Sequence, residues 1–180
     1  MTVVMKPCKV PWSVSPTMSG LTLTHMETDV APECSIVFGG GRMDPNGLTD
    51  MRRIELQFVT ASHVRAATKH DDDDIEASGF HIVGGYDGPG QGYLNWRKSN
   101  WRDTGICPDP GFYVATESDW LRSATMKYGY APKHFILAGR DCYMEIIAES
   151  FSWREWLWLD GPRDNYQHAS DVVGSGHGTE

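Results

Sequence analysis

Ile54, Leu56 and Phe58 alternate with Glu55 and Gln57, a period of two that predicts a strand with one buried face. Leu21, Leu23 and His25 alternate with threonines ahead of Met26 and predict a second, half-buried strand. Ser35-Ile-Val-Phe38 is a short apolar run of the kind that fills a buried strand, and Gly39-Gly-Gly41 behind it reads as a turn. Phe80 to Val83 and Tyr93 to Trp96 predict further short strands, as does Gly111-Phe-Tyr-Val-Ala115. His134 to Ala138 and Cys142 to Ala148 flank Gly139-Arg-Asp141, which predicts a hairpin with a short loop. In its second arm Cys142, Met144, Ile146 and Ala148 share an apolar, inward face. Tyr143, Glu145, Ile147 and Glu149 share the other, which places the two glutamates toward solvent. In Trp153 to Leu159, Trp156 and Trp158 lie on one side and Leu157 and Leu159 on the other. A strand apolar on both faces is central in its sheet or pressed against another surface.

A period nearer four is clear at one place. Leu121, Ala124 and Tyr128, with Trp120 beside them, make an apolar stripe. Thr116 and Asp119 stand at capping-box spacing ahead of it, and Gly129 and Pro132 stop it, so one helix is predicted over about 118–128. Asp44-Pro-Asn-Gly47 is a turn, His70 with Asp71 to Asp74 a solvated acidic loop, Gly84 to Gly92 a flexible loop, and Asn100 to Pro110 another. The prediction is a mainly β chain: an antiparallel β-sandwich or open barrel with one short helix. Residues 1–20 read as an irregular arm, 21–160 as a single β-rich domain and 161–180 as a flexible polar tail.

Composition narrows what such a scaffold does. With 180 residues, 40% hydrophobic content and seven tryptophans, one well-filled core is expected. A net charge of −8 argues against nucleic acid and anionic membranes as partners, since phosphate binding needs an electropositive face, and favours a basic protein partner. No apolar run approaches a membrane span, and Val3-Val-Met5 is too short for the apolar part of an export signal. Cysteines 8, 34, 107 and 142 are irregularly spaced, so free thiols and a cytoplasmic location are expected.

Motifs for chemistry are sparse. Gly39-Gly-Gly-Arg42 lacks the Gly-Lys-Ser/Thr ending of a phosphate loop. Histidines 25, 63, 70, 81, 134, 168 and 177 show no helical metal-ligand spacing, and no serine sits in a G-x-S-x-G elbow. No metal, cofactor or catalytic residue is assigned on this basis, although side chains from separate strands could still converge. The aromatic segment carries more. Tyr86, Tyr93, Trp96 and Trp101 are interleaved with Arg97, Lys98 and Arg102, the composition of binding hot spots and of sugar-stacking platforms. Together with Asp71, Asp72, Asp73 and Asp74 they form the predicted contact set, with Trp156 and Trp158 as a second apolar patch.

The run GFYVATESDWL, followed by KHFILAGRDCYMEIIAESFSW, resembles a pattern in small bacterial β-rich proteins: a strand, an S-x-W-L helix and a hairpin. Some of these are similar to immunity proteins that neutralise toxins. The likeness covers residues 112–153 and transfers no catalytic residue. It implies a non-catalytic, acidic module that blocks a basic protein partner; a carbohydrate-binding sandwich and an enzyme with a metal or acid/base site assembled from separate strands are the alternatives.

Overall fold

The computed structural model describes residues 3–15, 17, 20–27, 32–44, 46–68, 79–128, 131–158 and 167–168. In chain order the elements are β1 (Val3–Pro7), β2 (Trp12–Val14), β3 (Thr22–Glu27), β4 (Glu33–Met43), β5 (Thr49–Val59), β6 (His63–Thr68) and β7 (Phe80–Ile82). Then come α1 (Gly90–Thr104), β8 (Phe112–Glu117), α2 (Asp119–Tyr128), β9 (Lys133–Ala138), β10 (Cys142–Ala148), β11 (Ser150–Leu157) and β12 (Gln167–His168). The strands form two open six-stranded sheets, and no barrel closes among the described residues. One sheet runs β6-β10-β9-β8-β1-β7; the other runs β12-β11-β5-β4-β2, with β3 also on β4. Pairing is antiparallel except between β1 and β7.

The expected alternation decides what goes between the sheets. Ile54, Leu56 and Phe58 of β5 and Ile36 and Phe38 of β4 come from one sheet, and Phe112, Phe135, Leu137 and Ile146 from the other. All are buried in one continuous core, so this is a β-sandwich. Phe112 is its centre, fully buried against Trp12, Phe58, Phe135 and Phe151 with ring centroids 4.9–6.2 Å away.

Several expectations change. The arm over 1–20 contains β1 and β2, which belong to different sheets and carry the fully buried Met5 and Trp12. Gly39–Gly41 do not turn the chain; they lie inside β4, where Gly40 pairs with Val14 on one side and Arg52 on the other. The segment read as loop, strand and loop from 84 to 110 contains a fifteen-residue helix, α1. Of the polar tail, only Gln167 and His168 are described, paired with Trp153 and Ser152.

The helix expected at 118–128 is α2, but its cap differs. Ser118 accepts the Leu121 N–H at 3.0 Å, and the strand runs to Glu117, two residues further than the capping-box reading allowed. Ser118→Ala removes both this cap and a partner of His134, and is expected to cost about 1–2 kcal/mol in a denaturant melt. The helix covers part of the outer face of the first sheet. Glu145, expected in solvent, and Ile147 on the same face are therefore 2% and 0% exposed. No helix among the described residues is long and apolar enough to cross a membrane.

Candidate functional site

The predicted aromatic residues meet at α1. Tyr86 precedes the helix, and Tyr93 and Trp96 sit one turn apart on it, so three rings form a triangle with centroid separations of 5.4–6.0 Å. All three are half-buried. The Tyr86 hydroxyl donates to the Pro89 carbonyl at 3.0 Å and fixes the turn into the helix. Below, Asp109 accepts hydrogen bonds from two phenols, Tyr93 and Tyr113, the latter at 2.5 Å. Burial, and then the Asp109 carboxylate, push the Tyr93 phenol well above its ordinary range. Arg97 donates to the Asp109 carbonyl at 3.2 Å and approaches Cys107 Sγ at 3.6 Å.

Trp101 does not join the triangle. It is 2% exposed, and its indole N–H donates to the Pro11 carbonyl at 3.0 Å. It anchors α1 beside the β1–β2 link and has no surface to offer a partner, which removes it from the contact set. Asp71 to Asp74 lie outside the described residues. Trp156 is buried at 8% while Trp158 is 38% exposed beneath the Arg53 guanidinium, so these two do not make one open patch.

An open groove runs between α1 and the loop after β7. Its wider part, about 700 Å³, is lined by His81, Tyr86, Asp87, Tyr93 and Asp109 among others. It continues past Pro7, Gly84, Gly85 and Pro108 into a second part of about 580 Å³ bordered by Lys6, Lys9, Trp96 and Asn100. Comparison with known protein families, with characterised proteins and with solved structures finds no match. The chemistry of the site therefore rests on its own geometry.

A second gathering of polar side chains was missed by the sequence. On the outer face of the first sheet, cross-strand register puts Glu145 opposite Arg65 on one side and Ile136 on the other. Arg65 donates to both oxygens of Glu145 from Nε and Nη2, at 2.6 and 2.7 Å. His134, fully buried, has Nε2 2.9 Å from Glu145 Oε2 and Nδ1 3.0 Å from Ser118 Oγ. The Nε2 contact is close in distance but off the line of a well-aligned hydrogen bond. Trp120 closes the cluster, with Arg65 stacked on it at 4.1 Å and the His134 and His63 rings at its edges. Burial opposes the Glu145 charge, but His134 and Arg65 outweigh it and hold the carboxyl below its ordinary 4.5.

Ser118, His134 and Glu145 stand in the order of a proton relay. The geometry favours a different use. Ser118 is 6% exposed and already accepts the α2 cap, and among non-glycine described residues only Thr60 has positive φ, so Ser118 lacks the strained elbow that presents a nucleophile. The cluster works as a lock between α2 and the sheet. Among the described residues no three metal-ligating side chains converge.

At the far end of the inner face, Arg42 and Arg52 both engage Glu155, and Arg52 also holds Asp50 at 2.7 Å. The hydrogen bond from Arg52 keeps the Asp50 carboxyl below its ordinary value. Arg52 is thus balanced by acids of its own sheet.

Proposed function

We propose that this protein acts by binding rather than catalysis, as an acidic, immunity-like module that covers a basic surface of a protein partner. The observation that carries the reading is the Tyr86–Tyr93–Trp96 triangle, three large rings held half-exposed at the start of α1, a helix that buries only Trp101. Leu94, 62% exposed on the same helix, adds an apolar anchor. Such rigid rings present contact area at little cost in side-chain entropy. The excess of acids, net charge −8, would speed encounter with a basic partner. The sealed Glu145 cluster contributes by fixing the scaffold.

The test is surface-immobilised chain against candidate basic proteins encoded beside its gene. Association is expected to slow by roughly tenfold between low and physiological salt. Trp96→Ala is expected to weaken binding by about 2 kcal/mol or more. An on-rate indifferent to salt, or undiminished affinity in a Tyr86→Ala/Trp96→Ala variant, defeats the proposal.

The same rings also favour a carbohydrate reading, because they border an open groove with Asp87 and Asp109 along it. Aromatic faces beside carboxylates suit sugars. That reading expects oligosaccharides to shift tryptophan fluorescence, with the response lost in Trp96→Ala; silence across a glycan array removes it.

A further inference from the structure

The groove beside α1 is electrically divided, and its two parts differ more than the overall acidity of the chain suggests. The wider part carries Asp87 and Asp109. The narrower part is lined by Lys6, Pro7, Cys8, Lys9, Trp96 and Asn100 among others, without a single carboxylate among the described residues. Neither lysine has an ion-pair partner among the described residues, whereas Arg42, Arg52, Arg65 and Arg154 are each committed to an acid. Behind the floor, Arg97 donates to a carbonyl oxygen and lies 3.6 Å from Cys107 Sγ, so a third positive charge stands under the pocket. Asp109, the carboxylate closest in sequence to that floor, has both oxygens taken by phenols.

The sulfurs of the floor are buried and neutral. Cys8 and Cys107 are each 1% exposed, and burial pushes the Cys107 thiol up to about 11, so neither sulfur adds negative charge at neutral pH. The wall is the Trp96 ring, whose indole N–H has no partner among the described residues. Trp96 and two lysines that have no ion-pair partner among the described residues therefore line one space of about 580 Å³, room for a small molecule rather than a polymer. Charge-assisted hydrogen bonds to an oxyanion are the strong kind available to these donors, and the ring face favours a planar partner.

We infer that this pocket binds a small planar ring bearing an oxyanion, either an aromatic carboxylate or an aromatic phosphate monoester. This goes beyond the protein-binding proposal, and its test involves no partner protein, so either can fail alone. The full chain is titrated with indole-3-acetate, phenyl phosphate and the neutral isostere indole-3-acetamide. Binding is followed by calorimetry and by the ¹⁵N–¹H indole signal of Trp96, identified by its loss in Trp96→Phe.

One or both anions are expected to move the Trp96 signal, with the neutral amide bound roughly tenfold more weakly or worse, as loss of a charged hydrogen bond implies. Which anion binds decides between carboxylate and phosphate. The double variant Lys6→Gln/Lys9→Gln is expected to lose a similar factor; both positions are exposed, so the fold is not at stake. Equal affinity for the amide, unchanged affinity in the double variant, or a Trp96 signal that no probe moves at millimolar concentration each overturns the inference.

Discussion

Glu145→Ala is expected to lower the unfolding free energy by about 3 kcal/mol, the low end of the range for breaking a buried ion pair. The low end applies because the Arg65 side chain is 53% exposed and can recover water, whereas His134 is fully buried and cannot. Glu145→Gln keeps the volume and removes the charge, so it separates packing from electrostatics. The pH dependence follows from the direction of the shift. Folding lowers the Glu145 pKa below its ordinary 4.5, so its contribution is complete above that value and is lost as pH falls through the lower folded value. The parent should therefore lose stability on acidification below about 4.5, and Glu145→Gln should lack that part of the slope. Urea melts between neutral and acid pH measure both. A glutamine variant as stable as the parent, with the same acid slope, would show that the cluster does not lock α2 to the sheet.

That cluster also marks where the sequence stops being legible. The alternation in 142–148 correctly assigned Met144, Ile146 and Ala148 to the core, and α2 and the hairpin fall within a residue or so of their expected bounds. The same alternation placed Glu145 in solvent, because a period of two names two faces without saying what lies over the second. The cover comes from α2, and Trp120 is its clamp. A carboxylate between Met144 and Ile146 on an otherwise apolar strand was the available signal, and it pointed to a partner from another strand.

The missed helix has a local cause. Gly90 and Gly92 lie in the first turn of α1, and its N-cap, Pro89, makes no side-chain hydrogen bond, so the start carried no capping signature. Only Trp101 is buried along it, which leaves no broad apolar stripe. The stop was present: Gly105 takes the left-handed conformation, φ 70°, and its N–H bonds back to the Trp101 carbonyl. Tyr93, Trp96, Arg97 and Trp101 also follow helical spacing. Reading the aromatics as a strand hid that they share one side of a helix. Of the residues expected in the contact set, Tyr86, Tyr93 and Trp96 come together, while Trp101 is spent holding their helix down.

Gly40→Ala should destabilise the fold by about 3 kcal/mol, the upper end of the usual overpacking penalty, although only one methyl group is added. Glycine is needed here for space, since its φ is not in the left-handed region. A Cβ at Gly40 would stand 2.7 Å from the Ser13 carbonyl oxygen and against the Ile54 side chain. Neither neighbour can yield cheaply. Ser13 is held in β2 by its pairing with Gly41, and Ile54 is fully buried between the sheets. The strain would pass to β2, and with it to Trp12, which stacks on Phe112 at 5.8 Å. Gly20→Ala is the control, because nothing lies within 4 Å of its Cβ, and a change within about 0.5 kcal/mol is expected there. Guanidinium melts of the two variants compare the effects. If Gly40→Ala unfolds at the parent's midpoint, then β2 does not lie as close to β4 as the pairing at Val14 and Gly40 requires.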